Sequence, residues 1–386
     1  MQRNVEVIMN LLRCAACGEK ADEKIISDLT PEILQDVYDV TYRHGLTQLA
    51  GDILEKSGVL GSDELSQKYR KEVFDAVYSY EKLRYETEQI SRFFEENGVP
   101  FVLLKGAVLR YLYSEPFLRT SCDLDILVRE SDLEKADEIL QKSLNYRKIS
   151  QGIHHISYSF GDIKIELHFD LIEKHQAKNS HKIAEKVWDY ARVKEGFKHQ
   201  YILDNSFIYF YHIAHCAAHF EAGGCGIKPL LDLYILKRNI PYETDEIKGL
   251  LSKSGLTKFE KYLSELSDVW FSEKEHNSVT EVMEKFIIDG EIAGTEEQNF
   301  LLKKYRSGGK AGYVFSRLFV HSKELKNDYP VLNKIPVLLP FFAIFRWFKL
   351  LFKKDKKDIA RRYETVKNIP EEKLKIYGGM LDKIGL

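Results

Sequence analysis

The segment Arg119-Thr-Ser-Cys-Asp-Leu-Asp-Ile-Leu-Val128 constrains this chain more than any other, because charge and apolar bulk alternate in it with a period of two. That period belongs to a strand: Asp123 and Asp125 share one face, while Leu124 and Ile126 point into a core. Two carboxylates so close repel each other unless a cation sits between them. Magnesium prefers oxygen ligands and substrate phosphates, so the pair points to chemistry on a nucleotide. A solvated strand face would give the same alternation without chemistry. The neighbouring elements decide between the two readings.

Upstream, a helical pattern ends at Asn97-Gly98, and Phe101-Val-Leu-Leu104 reads as a short buried strand. Lys105-Gly106 punctuates it. Helical spacing over Ala107 to Tyr113 stops before Pro116, so the order is strand, glycine turn, helix, loop and the Asp123 strand. Downstream, Ser131-Asp-Leu-Glu134 has the form of a capping box opening a helix to about Leu144. Next, 155–160 and 163–169 alternate across Gly161-Asp162 as a hairpin, in which Glu166 and His168 share the face opposite Ile165 and Leu167. Glu166 is therefore a third strand carboxylate.

The remaining sequence frames this centre. Apolar positions at three and four predict helices over 1–90, and after Glu173 helices return, including 207–220 and 228–236 on either side of Gly223-Gly-Cys-Gly226. A chain of 386 residues can form two or three domains, and 57 basic against 59 acidic residues argue against a surface wholly devoted to nucleic acid. Five irregularly spaced cysteines do not form a secreted disulfide framework, which suits a cytoplasmic protein. Cys14-Ala-Ala-Cys17 lacks a second ligand pair and reads as part of a packed helix, and no secretory signal is apparent at the N-terminus. The stretch 336–352 is apolar and aromatic, but Arg346 and Lys349 interrupt it. Its uninterrupted apolar part is shorter than the roughly 20 residues a membrane-spanning helix needs, and a basic run follows. They read as a helix packed on the protein, with peripheral membrane contact through 336–362 as the alternative.

Leu104-Lys-Gly106, Arg119 to Asp125 and Glu166-Leu-His168, in that order, resemble the polymerase-beta-like nucleotidyltransferase superfamily. Within it they resemble a mostly uncharacterised bacterial family with Leu-Lys-Gly, Arg-x-x-x-Asp-x-Asp and Glu-Leu-His motifs. The likeness covers about residues 30 to 270, and most closely 95 to 175. It implies an α+β fold: a small mixed β-sheet core flanked by helices, with helical N-terminal and C-terminal regions. The corresponding division is 1–90 helical, 91–175 nucleotidyltransferase core, 176–305 a helical domain closing the cleft, and 306–386 an extension. One departure is that Lys105-Gly106 replaces the superfamily's usual Gly-Ser turn.

The expected roles follow from chemistry. Gly106 lets the backbone approach a triphosphate, and the amides of Ala107 and Val108 at the helix start form an anion site. Lys105 and Arg119 neutralise phosphate charge, Arg119 in bidentate fashion. Asp123, Asp125 and Glu166 hold Mg²⁺ or Mn²⁺, and Glu166 is the alternative acceptor of the hydroxyl proton. His168 either orients Glu166 or is a half-buried hydrogen-bonding histidine. Ser121 joins the nucleotide-binding set, and the resemblance adds Lys228 and Asp232. The expected reaction is Mg²⁺-dependent transfer of a nucleoside monophosphate from an NTP, ATP preferred, to a hydroxyl or phosphate, with pyrophosphate leaving. The acceptor stays open among a small molecule, a peptide, a sugar and an RNA end. Two alternatives stand beside it. One is a catalytically inactive nucleotide-binding regulator; the other is a metal-dependent hydrolase built on His212, His215, His219 and Asp232.

Overall fold

The computed structural model describes residues 2–174, 176–292, 294–307, 329, 331–342, 345 and 369–386. The tail expected to pack or to touch a membrane over 336–362 lies outside the described residues from 346 onward. Among the described residues no helix is long and apolar enough to cross a membrane.

Seven strands form one mixed sheet: β1 (Phe101–Leu103), β2 (Leu124–Val128), β3 (Arg147–Gln151), β4 (His155–Phe160), β5 (Ile163–His168), β6 (Ala191–Val193) and β7 (Gln200–Leu203). Their order is β3-β4-β5-β2-β1-β7-β6. The β2–β5 and β1–β7 pairs are parallel, and the other neighbours are antiparallel. Helices flank the sheet and make up both terminal regions, from Gln2–Cys17 to Glu371–Ile384, so the architecture is the expected α+β one. The 33-residue helix Glu64–Glu96 starts where Asp63 accepts the Ser66 amide at 3.0 Å, and ends at Asn97 before Gly98 at φ +65°.

Three local features differ from the sequence reading. The stretch after Glu173 is not all helical, because β6 and β7 form a hairpin there; strands of three and four residues are too short for alternation to register. A further strand, β3, pairs with β4 at the sheet edge. Ser131 and Glu134 form no capping box, since a 3₁₀ turn over Glu130–Asp132 precedes the helix Leu133–Glu138 and the Ser131 hydroxyl donates to Asp132 Oδ2 at 3.1 Å instead. The cysteine pair near the N-terminus behaves as a packed helix does: Cys14 is buried, and all five cysteines are free.

The sheet separates two apolar cores. On one side Leu124, Ile126, Val128, Ile165 and Leu167 meet Leu83, Ile90 and Phe94 of the long helix. On the other side Val102, Leu104 and Leu127 join a core that runs from Val5 through Phe207 and Phe210 to Ile384, so segments assigned to all four regions of the sequence share one interior. Strand β2 is buried on both faces. Alternation puts Asp125 beside Leu127 on the face of the larger core, where a carboxylate has to find polar partners.

Candidate active site

The parallel register sets Asp125 of β2 directly beside Glu166 of β5, with His168 beside Leu127 on the same pair. Asp123 lies one residue before β2, at the mouth of the sheet. One ligand atom each of Asp125, Glu166 and His168 lie within 4.8 Å of one another. Asp125 is only 4% exposed, and its Oδ1 accepts from Lys105 Nζ at 2.9 Å and from His168 Nε2 at 2.7 Å. An ionised carboxylate can only accept, so the His168 proton sits on Nε2. Glu166 Oε2 lies 3.4 Å from that same nitrogen, and Glu166 Oε1 lies 3.7 Å from His155 Nε2.

The electrostatics are uneven. Burial works against charge on Asp125, yet Lys105 and His168 outweigh it and hold this carboxyl well below the usual range. At Asp123 the balance is reversed: burial, then the charges of Asp125 and Glu166, outweigh Lys105 and Arg119 and push it up to about 6. Glu166 is lowered by its His168 contact against burial. His168 is pulled down by burial and raised further by the two carboxylates. Among the described residues Asp125, Glu166 and His168 bring ligand atoms together, whereas Asp123, expected in the same set, is joined to them only through its charge.

The turn before the first core helix is strained and closed. Lys105 has φ +44° and ψ −115°, a region unfavourable for a residue with a Cβ. The Ala107 amide donates to Leu104 O at 3.1 Å and the Val108 amide to Lys105 O at 3.0 Å, so the free-amide anion site expected there is absent. Gly106 has a different neighbour from the one expected. A Cβ at this position would lie 2.5 Å from an Arg119 terminal nitrogen and 3.0 Å from the Ser121 Cβ, so the glycine makes room for Arg119 and Ser121. Arg110, given no role by the sequence, donates to Ser121 Oγ at 2.6 Å and to Gly106 O at 2.7 Å and stacks over Tyr80. Its place one helical turn after Gly106 was the only available signal.

Arg119 does use its fork, but on a protein carboxylate. It reaches Asp232 Oδ2 at 2.9 Å and Oδ1 at 3.3 Å, and the Tyr113 hydroxyl donates to Oδ1 at 2.8 Å. Lys228 donates to Thr120 O at 3.2 Å and Thr120 Oγ1 at 3.3 Å; burial first, then Arg119, bring its ammonium down to about 8. Both Lys228 and Asp232 lie on the helix Lys228–Asn239, so these contacts stitch the loop before β2 to the helical layer.

A cavity of about 990 Å³ opens on the other side of the Lys105 turn, between the Glu64–Glu96 and Asn205–Ala222 helices. Its wall is mostly apolar and carries Lys105, Arg119, Tyr211, His215, Lys228 and Asp232, whereas Asp123, Asp125 and Glu166 stand outside it. Lys105 therefore borders both the cavity and the carboxylates. The alternative hydrolase centre does not assemble among the described residues: His212, His215, His219 and Asp232 bring no three donors together. His212 Nε2 donates to Pro229 O at 2.9 Å, and Asp232 is occupied by Arg119 and Tyr113.

Residues 31–272 match the model of a family described as an uncharacterised nucleotidyltransferase. No curated protein and no solved structure gives a significant match.

Proposed function

The chain belongs to this nucleotidyltransferase family, and from that premise we propose that it moves a nucleoside monophosphate from an NTP, ATP preferred, to a hydroxyl or phosphate group, with release of pyrophosphate. The acceptor is drawn from small molecules, peptides, sugars and RNA ends. The observation that carries the reading is the side-by-side register of Asp125 and Glu166, with Asp123 at the strand mouth destabilised by both.

Asp123, the free Oδ2 side of Asp125 and Glu166 would hold Mg²⁺ or Mn²⁺. Bound there, the ion supplies charge neutralisation for the triphosphate and acidity for the attacking hydroxyl. Lys105, between cavity and carboxylates, neutralises phosphate charge and holds Asp125 ionised. Glu166, the more exposed carboxylate at 29% against 5% for Asp125, accepts the hydroxyl proton. His168 fixes the orientation of Asp125. Gly106 and Ser121 lie against Arg119, which Asp232 and Lys228 keep at the cavity wall beside Ala107, where the nucleoside is accommodated. Five free cysteines support a cytoplasmic setting.

The test is incubation with α-labelled NTPs, Mg²⁺ or Mn²⁺ and cell extract. Wild type should label an acceptor, and Asp123→Asn combined with Asp125→Asn should lower labelling by on the order of a thousandfold. Equal labelling by the two proteins sinks the proposal, and nucleotide binding without pyrophosphate release would favour the regulatory alternative.

A further inference from the structure

We propose that His154, His155 and His168 form a binding site for one divalent transition-metal ion of the zinc class, next to the carboxylates and separate from any magnesium they hold. The inference stands whether or not nucleotidyl transfer occurs.

The fold brings the three imidazoles together from two strand ends. His155 of β4 lies directly opposite His168 of β5. In a regular strand His154 would face the other way. It sits just before β4, however, and its carbonyl accepts the Phe169 and Asp170 amides at 3.0 and 3.2 Å, which folds this residue onto the end of β5. The ring centroids are 4.5 Å apart for His154 and His155, 5.2 Å for His155 and His168, and 5.8 Å for His154 and His168. One nitrogen from each ring lies within 4.8 Å of the other two.

The Nδ1 atoms of His155 and His168 are buried without a hydrogen-bond partner, and that of His154 meets only a Glu173 carboxylate oxygen at 3.4 Å. Such groups are rare in folded proteins because an unmade bond carries its desolvation cost. His168 shows what the missing partner is. Its Nε2 proton goes to Asp125 Oδ1 at 2.7 Å, so the neutral ring carries its lone pair on Nδ1. A proton placed there would be a second buried donor with no acceptor, whereas a metal ion takes the lone pair directly.

A carboxylate stands beside each ring: Asp125 at His168 Nε2, Glu166 Oε1 at 3.7 Å from His155 Nε2, and Glu173 Oε1 at 3.4 Å from His154 Nδ1, so His154 would bind through its other nitrogen, Nε2. Carboxylates behind imidazoles are the usual support of metal-ligating histidines, since they fix the ring and raise its basicity. Nitrogen donors select against magnesium and in favour of zinc-class ions. Three protein ligands also leave a fourth position open for water or a substrate oxygen. Zinc–nitrogen bonds of about 2.0–2.1 Å require the rings to draw inward. His154 and His155, at 23% and 21% side-chain exposure, have the room to rotate.

The experiment is a Co²⁺ titration of the metal-stripped full-length protein in a large excess of Mg²⁺ and without nucleotide. One equivalent should bind with visible d–d bands of a four-coordinate site, and dialysis against Zn²⁺ should leave one zinc per chain. His154→Ala with His155→Ala should weaken Co²⁺ binding by more than a hundredfold, while Asp123→Asn should keep it. If the double variant does not fold, as read by circular dichroism, His154→Gln alone carries the test with an expected loss of at least tenfold. The proposal is overturned by the absence of saturable Co²⁺ binding in Mg²⁺ excess. It is equally overturned if the histidine variants bind like wild type, or if Asp123→Asn abolishes binding.

Discussion

Two charged clusters lie on either side of the loop that leads into β2, and they are built on opposite principles. In the Arg119–Asp232 pair each charge meets its opposite in matched geometry, with both side chains buried and Tyr113 completing the set. Around Asp125 three carboxylates are crowded together, one of them pushed toward protonation, and imidazole nitrogens beside them lack protein partners. The first arrangement is complete without a ligand and ties the sheet to the helices. The second leaves Asp123 facing like charges, although Lys105 pairs with Asp125. Formal charge is similar in the two places; what separates a strap from a site is whether the protein satisfies its own groups.

The comparison breaks first at Asp232. Removing one partner of a buried ion pair leaves the other uncompensated, so Asp232→Ala should lower unfolding free energy by about 3–5 kcal/mol. Urea denaturation at pH 7 measures it, and a change below about 1 kcal/mol would mean that Arg119 is solvated in the folded protein. Replacing both partners with apolar residues, Arg119→Met with Asp232→Leu, should restore much of the loss.

At Asp123 the sign reverses. Its pKa in the folded protein is raised from 3.8 to about 6, so between those values the native state binds more protons than the unfolded chain. Stability contributed by this group is therefore present at low pH and lost as pH rises through that window. Asp123→Asn should remove the slope and, in metal-free buffer at pH 7, raise unfolding free energy by about 1–3 kcal/mol. Thermal melts from pH 3.5 to 7 would show it. A destabilised Asp123→Asn protein would mean that the carboxylate has a partner comparable to the one Arg119 gives Asp232.

The sequence made one of these clusters far more legible than the other. Strand alternation makes Asp123, Asp125 and Glu166 stand out in the sequence, and two short strands in parallel register set Asp125 beside Glu166, with Asp123 one residue outside β2. The helical regions were legible for the same reason, through long periodic patterns. Arg119 and Asp232 are separated by 113 residues, and no local period couples them. Chemistry alone points Arg119 to a phosphate and the family resemblance points Asp232 to the nucleotide pocket, because neither residue carries a mark of its partner. Gly106 was legible as a position that needs space, but the occupant of that space, Arg119, depends on tertiary packing. His154 escaped notice because the strand rule turns it away from His168, and only the irregular start of β4 turns it back. The Ser131 capping box failed in the opposite way: a correct local motif was overridden by a 3₁₀ turn.

The finest test of the contrast is Tyr113, whose hydroxyl donates to Asp232 Oδ1 at 2.8 Å inside the closed cluster. Tyr113→Phe removes that donor, but Arg119 Nε remains 3.3 Å from the same oxygen and the second oxygen keeps its own bond. The carboxylate stays paired, so the loss should be that of one hydrogen bond to a charged group, about 1–2 kcal/mol, and smaller than that of Asp232→Ala. A double-mutant cycle with Arg119→Met separates the terms. If Tyr113→Phe costs as much as Asp232→Ala, the tyrosine rather than the guanidinium holds the carboxylate in place. Arg119 would then be free to turn toward a phosphate in the cavity, and the distinction between strap and site would fail at this residue.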